Sequence, residues 1–318
     1  MKKERPILSI CIPTYNRAEI LKETLSSYVA CEEFLNDVEL VISDNASTDQ
    51  TQNVCQDFAS KYHNIHYFRN SENIRDANFY TVLNYAQGKY LKLLNDCVSL
   101  DNDALKYIKD ALRENEGTGC GVSFTSGYIY TPYKDIIRCH SLDEYFQVIS
   151  LGFTNNNMFG CWKSDWERVE DKDKYTALQL QQVDWSCQIA VKNNEVLLYN
   201  RNIITYHSKP TMKRVKYNWF KVHVDNYYTI LKTYYENGEI SETTLRRDKK
   251  IVLGFYKSYL YQIYLFHNDR GFDTTGTWAY FYKWYKNETF FWCFFITMPF
   301  HYVYDWLKKN YQDKTDDI

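Results

Sequence analysis

The sequence lacks the two glycine-rich motifs that mark the commonest nucleotide-binding domains. Neither a G-x-G-x-x-G segment nor a G-x-x-x-x-G-K-[ST] segment occurs in its 318 residues. These absences exclude the dinucleotide-binding fingerprint and the P-loop. A nucleotide site in this chain must therefore be built from other side chains.

Paired cysteines and an excess of one charge are missing too. The nine cysteines are scattered singly, with no C-x-x-C pair and an odd total, which argues against a disulfide framework or a zinc site. We therefore expect free, buried thiols in a reducing cytoplasm. A net charge of −2 argues against a nucleic-acid partner bound by bulk electrostatics. Residues 1–5 are mostly charged and lead straight into a strand pattern, so we expect no signal peptide.

Aromatic residues, by contrast, are abundant. Tyrosine, phenylalanine and tryptophan make up 18% of the chain, and they concentrate in its second half. Such a density permits a sugar-binding site or contact with a lipid surface. The composition is consistent with both a sugar-binding site and contact with a lipid surface.

Four strand patterns recur at intervals that suit right-handed β-α-β crossovers: Ile7–Ile12, Val38–Ser43, Ile65–Arg69 and Tyr90–Asn95. Helical patterns lie between them. A capping box of Ser47 and Gln50 predicts the start of the second helix, and Gly88 predicts the end of the third. The sequence thus predicts an α/β protein with a Rossmann-like sheet flanked by helices, followed from about Tyr217 by helices alone.

Polar side chains follow the first two strands at the points where they end. Pro13 is expected to end the first strand because it cannot continue a central ladder, and Thr14, Tyr15, Asn16 and Arg17 come directly after it. Asp44 lies at the same edge, one β-α step later. Since open α/β sheets bind ligands at the carboxyl ends of their strands, we expect a nucleotide here. Asp44 would accept a hydrogen bond from a ribose hydroxyl or a base N–H.

Three segments at consistent separations carry a resemblance to a known family: PTYNR (13–17), SDNASTD (43–49) and GKYLKLLND (88–96). They resemble the N-terminal half of family-2 glycosyltransferases with the GT-A fold. The likeness is greatest to abequosyltransferase-like enzymes of O-antigen and capsule biosynthesis. It covers about residues 5–110 and becomes diffuse afterwards.

The resemblance implies a mixed sheet of the GT-A type with a helical, aromatic-rich C-terminal extension. The catalytic domain would cover residues 1–212, with a nucleotide-sugar half (1–115) and an acceptor half (116–212). A C-terminal helical region (213–318) would follow. The implied function is inverting transfer of a sugar from a nucleotide-diphosphate donor, expected to be a UDP-sugar. The acceptor would be a glycan or a polyprenyl-diphosphate-linked oligosaccharide at the cytoplasmic face of the cell membrane.

The resemblance also assigns the donor-binding residues: Pro13, Thr14, Tyr15, Arg17, Asp44, Asn45, Asn73, Arg75 and Asp96. Arg75 stands where the family commonly has glycine. It either binds a phosphate or points outward, and the substitution restricts the backbone of this loop.

The metal site of the family is degenerate here. Metal-dependent members hold Mg²⁺ or Mn²⁺ with a D-x-D cluster, but only Asp96 remains, followed by Cys97 and Val98. Three interpretations stay open. Asp96 binds the metal with a distant ligand, for which His207 is the candidate; basic residues between Lys209 and Lys221 neutralise the leaving group; or the protein is a binding or scaffold subunit without catalysis.

Asp184 is the candidate general base, because inverting members place an aspartate at the start of a helix beneath the acceptor. Its alternative role is a helix N-cap. Asp143 and Asp165 are weaker candidates that resemble turn or cap residues. On the acceptor side, Asn155–Asn157 and Trp162 offer amides and a stacking face, or simply a turn.

The segment Thr289–Tyr304 contains no charged side chain but many aromatic ones. It is shorter than the roughly 20 residues of a spanning helix, and Pro299 interrupts it. Two interpretations stay open: a segment that lies in a membrane interface, or a helix packed on the catalytic body.

Overall fold

The computed structural model describes residues 5–126, 134–207, 217–267, 271, 273–298, 300 and 303–304. In this part of the chain the strands are β1 (Leu8–Thr14), β2 (Val38–Asp44), β3 (Ile65–Arg69), β4 (Tyr90–Leu93), β5 (Val98–Ser99), β6 (Gly121–Phe124), β7 (Ile136–Cys139), β8 (Gly160–Trp162), β9 (Val196–Tyr199) and β10 (Thr205–Tyr206).

The α-helices with defined bounds are α1 (Ala18–Val29), α2 (Thr51–Lys61), α3 (Ala77–Tyr85), α4 (Asn102–Asn115), α5 (Leu142–Ile149), α6 (Lys163–Arg168), α7 (Gln181–Lys192), α8 (Tyr227–Glu236), α9 (Glu242–Tyr264) and α10 (Thr277–Tyr285). A π-helix, Lys221–Asn226, leads into α8. Residues 289–298 are also helical.

The central sheet has the strand order β3-β2-β1-β4-β8. Its first four strands are parallel, and β8 runs antiparallel to β4. In the register of β1 and β2, Thr14 lies opposite Asp44, so both strands end at the same level. The predicted mixed, Rossmann-like sheet is confirmed. A second sheet, β6-β9-β7, and the β10-β5 pair lie beside it.

The first strand runs two residues further than predicted. Pro13 and Thr14 stay paired with β2, whereas the pairing of β1 with β4 ends at Cys11. Pro13 therefore lies where β1 has a ladder partner on one side only, and there a missing N–H is tolerated.

The predicted start of the second helix is wrong. Helix α2 begins at Thr51, because Ser47 is used in the turn after β2 instead. The backbone N–H of Ser47 donates to the Asp44 carboxylate at 2.9 Å, and its hydroxyl accepts from the backbone N–H of Asn16 at 2.9 Å.

Gly88 does not end the third helix either, since α3 ends at Tyr85. Its backbone N–H donates to the Ser9 hydroxyl at 2.8 Å, and a Cβ at this position would lie 2.4 Å from the same oxygen. Glycine is needed here because the chain passes directly against β1.

The C-terminal helices share one apolar core with the predicted acceptor half. This core runs from Cys139 to Met298 and joins α5 and α7 to α8, α9 and α10. Asp248 on α9 is buried within it and accepts hydrogen bonds from Ser150 and Tyr228. The predicted boundary at residues 212 and 213 lies outside the described residues, so the domain division stays a prediction.

All nine cysteines are free, as predicted. Five are buried, but Cys31, Cys97 and Cys120 are partly exposed and Cys293 is exposed. The expectation that the thiols are buried is therefore right for only part of the set.

Gly88→Ala tests the close approach of the chain to β1. The new methyl group meets Ser9, so we expect the free energy of unfolding to fall by about 1–3 kcal/mol in a urea titration. Gly254→Ala is the matched control, because Gly254 is exposed in α9 and a Cβ added there would have nothing within 4 Å. It should raise stability by about 0.5–1 kcal/mol. Equal effects of the two substitutions would contradict the role given to Gly88.

Candidate nucleotide-sugar site

A cavity of about 870 Å³ opens at the carboxyl ends of β1 and β4, beside the turn after β2. Eight of the nine predicted donor-binding residues line it: Pro13, Thr14, Tyr15, Arg17, Asn45, Asn73, Arg75 and Asp96. They come from four separate segments, which the parallel register of the sheet brings to one edge. A cavity at this edge is where open α/β sheets bind ligands.

Asn45 fixes one wall of the cavity. Its side-chain amide donates to the Asn73 side chain at 2.9 Å and to the backbone carbonyl of Arg75 at 3.1 Å. Its side-chain oxygen accepts from Asn70 and from the backbone N–H of Ile74. One buried side chain thus holds the 73–75 loop against the end of β2.

Asp44 is the predicted donor-binding residue that does not line the cavity. The residue is fully buried. One carboxylate oxygen accepts from the Ser47 N–H at 2.9 Å, and the other accepts from the Tyr67 hydroxyl at 2.8 Å and lies 3.5 Å from Arg69 Nε. These contacts organise the turn beneath the cavity. A direct bond from Asp44 to a nucleotide stays a prediction.

Asp96 lies at the edge of the cavity with a single strong contact. Its Oδ2 accepts from the Thr14 hydroxyl at 2.9 Å. Burial raises the pKa of Asp96 to about 6, against the opposing effects of the Thr14 hydrogen bond and the Arg17 charge. Cys97 follows it on the cavity wall, and Val98 is buried.

The backbone of His207 lies close to the turn that carries Asp96, but its side chain points elsewhere. It follows β10, and its N–H donates to the Cys97 carbonyl at 2.8 Å. The ring Nε2, however, lies 2.8 Å from the Ser99 hydroxyl and faces a second cavity lined in part by Lys22 and Glu23. Within the described ranges, no three His, Cys, Asp or Glu side chains form a group that could hold a metal ion.

The residues present therefore fit a resident divalent cation poorly. Hard cations such as Mg²⁺ take oxygen ligands, and Asp96 alone supplies a carboxylate after β4. The predicted metal pair of Asp96 and His207 stays untested. The predicted basic residues Lys209, Lys213, Arg214 and Lys216 lie outside the described residues.

Asp184 lies in the first turn of α7 and is not an N-cap, because the helix begins three residues earlier, at Gln181. The residue is buried and does not line the cavity. Its carboxylate accepts from the Tyr234 hydroxyl at 2.7 Å and from Gln188 at 2.8 Å. Burial raises the pKa of Asp184, and these two hydrogen bonds oppose the shift. Its role as a base stays a prediction.

Helix α7 nevertheless reaches the loop that borders the cavity. The Gln181 side chain donates to the Asp76 carbonyl at 2.8 Å, and Asp76 lies between the lining residues Arg75 and Asn78. The two weaker candidates are bound elsewhere. Asp165 pairs with Arg168, and Asp143 accepts from Ser241 and Thr244.

Asn157 supports the cavity wall rather than lining it. The residue is buried, and its side-chain oxygen accepts from the backbone N–H of Asn95 at 2.8 Å. Its carbonyl accepts from Lys92 Nζ at 2.5 Å. Trp162, also predicted on the acceptor side, donates to the Cys120 carbonyl instead. The turn that carries Asp96 thus rests on Asn157, which in turn rests on a buried lysine.

Nine lining residues were not predicted to bind the donor, and Asn16, Asp49 and Phe79 are three of them. Asn16 has a left-handed backbone (φ 53°) and accepts from the Thr48 N–H at 2.7 Å. Asp49 accepts from Thr51 and from the Ala18 N–H, which ties the starts of two helices together. The helical spacing places Phe79 on the buried face of α3, but it is only partly buried and faces the cavity. Of these residues, Asn16 alone could have been predicted from the sequence, because asparagine in a strand-end turn tolerates a left-handed backbone.

Lys92→Met tests whether the buried lysine is neutral. Burial lowers the pKa of Lys92 to about 7, below the value of about 10.4 expected in the unfolded chain. Between these values the unfolded state binds more protons, so the Lys92 contribution to stability falls as the pH falls, by at most about 1.4 kcal/mol per pH unit.

We therefore expect the stability of Lys92→Met relative to the parent protein to improve progressively between pH 10 and pH 7. Urea titrations at several pH values measure the difference. The exposed Lys106→Met is the control and should show a constant difference. A constant difference for Lys92→Met would mean that the buried amine is charged.

Comparisons with known proteins show which family this chain is similar to. Residues 9–163 match the family model "Glycosyl transferase family 2". Abequosyltransferase RfbV of Salmonella typhimurium is 40% identical over 108 residues, which are 33% of this chain and 32% of that protein. The Campylobacter jejuni GalNAc(5)-diNAcBac-PP-undecaprenol beta-1,3-glucosyltransferase is 31% identical over 174 residues, or 48% of this chain and 55% of the relative. The match thus spans about a third to a half of these relatives.

Solved structures agree on the fold. The mannosyltransferase PcManGT from Pyrobaculum calidifontis, in complex with GDP-Man and Mn²⁺, superposes with a TM-score of 0.55 at 13% identity, over 95% of this chain and 88% of the other. S. aureus TarS 1–349 in complex with UDP-GlcNAc gives 0.55 at 13% identity, over 80% and 72%. The fold is that of GT-A glycosyltransferases, and residues 9–163 of this chain are similar to glycosyltransferase domains of family 2.

Proposed function

We propose that this protein transfers a sugar, with inversion, from a UDP-sugar to a hydroxyl group of a polyprenyl-diphosphate-linked saccharide in surface-polysaccharide synthesis. The observation that carries the proposal is the cavity at the carboxyl edge of the sheet. It lies within the family-2 domain and is lined by hydroxyl, amide and guanidinium groups from four segments.

The lining suits a nucleotide sugar. A volume of about 870 Å³ lies within the range of sites that bind small molecules and cofactors. Tyr15 and Phe79 offer aromatic faces, while Arg17 and Arg75 offer cationic ones. The solved relatives in complex with UDP-GlcNAc and GDP-Man support a nucleoside diphosphate at this edge, and uridine is the base that we propose.

The proposed reaction is a single displacement at the anomeric carbon. The acceptor oxygen forms a bond to that carbon while the bond to the diphosphate oxygen breaks, and the leaving nucleoside diphosphate keeps the electron pair. The acceptor hydroxyl loses its proton to a carboxylate, which we assign to Asp184. A base needs a pKa close to the working pH, and burial moves the pKa of Asp184 in that direction.

The acceptor would approach from the side of the C-terminal helices. Tyr234 on α8 holds the Asp184 carboxylate at 2.7 Å, so the proposed base and the aromatic-rich region are joined directly. Trp292 and Ile296 are exposed and lie four residues apart, so they share one face of the helix at residues 289–298, and the exposed Phe300 follows at the same spacing. Among the described residues, no helix is long and apolar enough to span a bilayer.

We therefore propose that this face contacts the cytoplasmic surface of the membrane, where a lipid-linked acceptor would be located. The named Campylobacter relative acts on an undecaprenol-linked substrate, which supports this class of acceptor. The exposed fractions of Trp292, Ile296 and Phe300 are 46%, 67% and 73%, large values for apolar groups on a helix that otherwise packs against the core.

The direct test of the function is a transfer assay with UDP-, GDP- and dTDP-sugars and polyprenyl-diphosphate-linked acceptors, read by mass spectrometry of the lipid-linked product. We expect transfer from one UDP-sugar. Nucleotide binding without transfer to any acceptor would instead favour a binding or scaffold subunit. This is the second candidate, because Asp184 is buried and Asp96 is the single carboxylate that follows β4.

Asp184→Asn should retain donor binding, because the residue does not line the cavity. Transfer should fall by about 10²–10⁴-fold, since an amide cannot accept the acceptor proton. Calorimetry with the donor and the rate of product formation separate the two effects. Asp173→Asn, on an exposed residue, is the control. Wild-type turnover in Asp184→Asn would remove this residue from the mechanism.

Serine at Trp292, Ile296 and Phe300 together should abolish sedimentation with vesicles that contain anionic lipid, because the apolar anchors are lost. Leu35→Ser with Val191→Ser removes exposed apolar side chains outside the C-terminal helices and should leave sedimentation unchanged. If the triple variant still sediments with the vesicles, this face is not the membrane contact.

A further inference from the structure

We propose that Arg17 and Arg75 bind the diphosphate of the donor as a guanidinium pair, in a site that holds the nucleotide without a divalent cation. This inference rests on the proposed function and specifies how the same cavity recognises its ligand. The side chains that follow β4 are poor ligands for a divalent cation, and this observation is the first step.

Three carboxylates line the cavity, those of Glu19, Asp49 and Asp96, and each already has a partner in the protein. Asp96 has one oxygen bound to the Thr14 hydroxyl. Asp49 accepts from Thr51 with one oxygen and from the Ala18 N–H with the other, so it serves as a cap for two helix starts. The side chains that follow Asp96 are a thiol and an isopropyl group, neither of which is a ligand for Mg²⁺.

The cations at the cavity, by contrast, have no partners among the described residues. Neither the Arg17 nor the Arg75 guanidinium forms a hydrogen bond or ion pair within the part of the chain that the structure describes. Most other arginines in that part are paired, for example Arg138 with Glu195 and Arg168 with Asp165. These two guanidinium groups on the cavity wall are therefore available to an anionic ligand.

The position of Arg17 adds to this argument. It lies directly after the strand-end turn of β1, and its charge opposes the rise that burial causes in the pKa of Asp96 and of Cys97, which line the same cavity. The Arg17 guanidinium is thus close to Asp96, where metal-dependent family members would hold the cation that neutralises the diphosphate. Planar guanidinium groups bind phosphate oxygens with two parallel hydrogen bonds, so this side chain can replace part of the charge of a metal ion.

Arg75 is held in a strained backbone conformation. Its φ of 53° lies in the left-handed region, which glycine adopts freely and other residues adopt at a cost. The Asn45 amide holds its carbonyl at 3.1 Å, and its own N–H donates to the Asn73 side chain at 2.9 Å. Strain that the surroundings enforce is common at ligand sites, and here it fixes the residue at the cavity wall.

The charge of the guanidinium pair matches that of the diphosphate. The diphosphate bridge of a nucleotide sugar carries two negative charges, and the two guanidinium groups supply two positive ones. Departure of the sugar adds a third negative charge on the leaving diphosphate, which charge-assisted hydrogen bonds from the same groups stabilise.

The test is calorimetric titration of the full chain with UDP, GDP and dTDP, each with EDTA, with Mg²⁺ and with Mn²⁺. We expect UDP to bind with EDTA present, with an affinity within about threefold of that with Mg²⁺. Arg17→Ala and Arg75→Ala should each weaken UDP binding by about 10- to 100-fold, the loss of a charge-assisted contact. Arg247→Ala, an exposed arginine on α9, should bind UDP like the parent protein.

Arg75→Gly separates the side chain from the backbone. It removes the guanidinium group but permits the left-handed conformation, so it should lose affinity as Arg75→Ala does while keeping full thermal stability. Unaltered UDP affinity in Arg75→Gly would overturn the role of this side chain.

The outcomes for metal dependence are distinct. If UDP binds only with Mg²⁺ or Mn²⁺, the inference is overturned while the proposed function stands. If none of the three nucleotides binds under any of the conditions, the proposed function itself fails.

Discussion

The candidate site depends on one constraint, the parallel register that β1 keeps with both of its neighbours. Thr14 lies opposite Asp44, and the pairing of β1 with β4 ends at Cys11 and Leu93. Three strands therefore finish close together, and the polar turns that follow them meet around one cavity. Cross-links from the turns maintain this edge: the Asn45 N–H donates to the Thr14 carbonyl, and the Thr14 hydroxyl donates to Asp96. A shift of one residue in either ladder would separate these groups.

Beneath that edge, buried polar groups support the turns that form the cavity wall. In many nucleotide sites, comparable carboxylates contact the ligand instead. Asp44 is held by Tyr67 and Arg69, and Asn157 supports the Asn95 turn on top of the buried Lys92. The cavity wall is thus left mostly with hydroxyl, amide and guanidinium groups. That chemistry suits a diphosphate better than it suits a metal ion, and this is the physical basis of the inference about Arg17 and Arg75.

The sequence predicted what local patterns determine and missed what distant partners determine. Strand β3 begins and ends where the hydrophobic pattern places it, and the predicted strand-end residues line the cavity, except for Asp44. The start of α2 was wrong because Asn16, some thirty residues earlier in the chain, recruits Ser47 into the turn. Gly88 was misassigned because its need for space comes from Ser9. Likewise, nothing near Asp184 in the sequence indicates Tyr234, whose hydroxyl is bound to its carboxylate.

The central claim is that the carboxyl edge of the sheet binds a nucleoside diphosphate. A crystal structure of the protein with UDP, grown with EDTA present, tests it most directly. The account predicts density for the nucleotide in the cavity between residues 13–17 and 95–97, with a phosphate oxygen within hydrogen-bond distance of the Arg17 guanidinium. An empty cavity at a saturating UDP concentration, or a nucleotide bound on another face of the molecule, would contradict it.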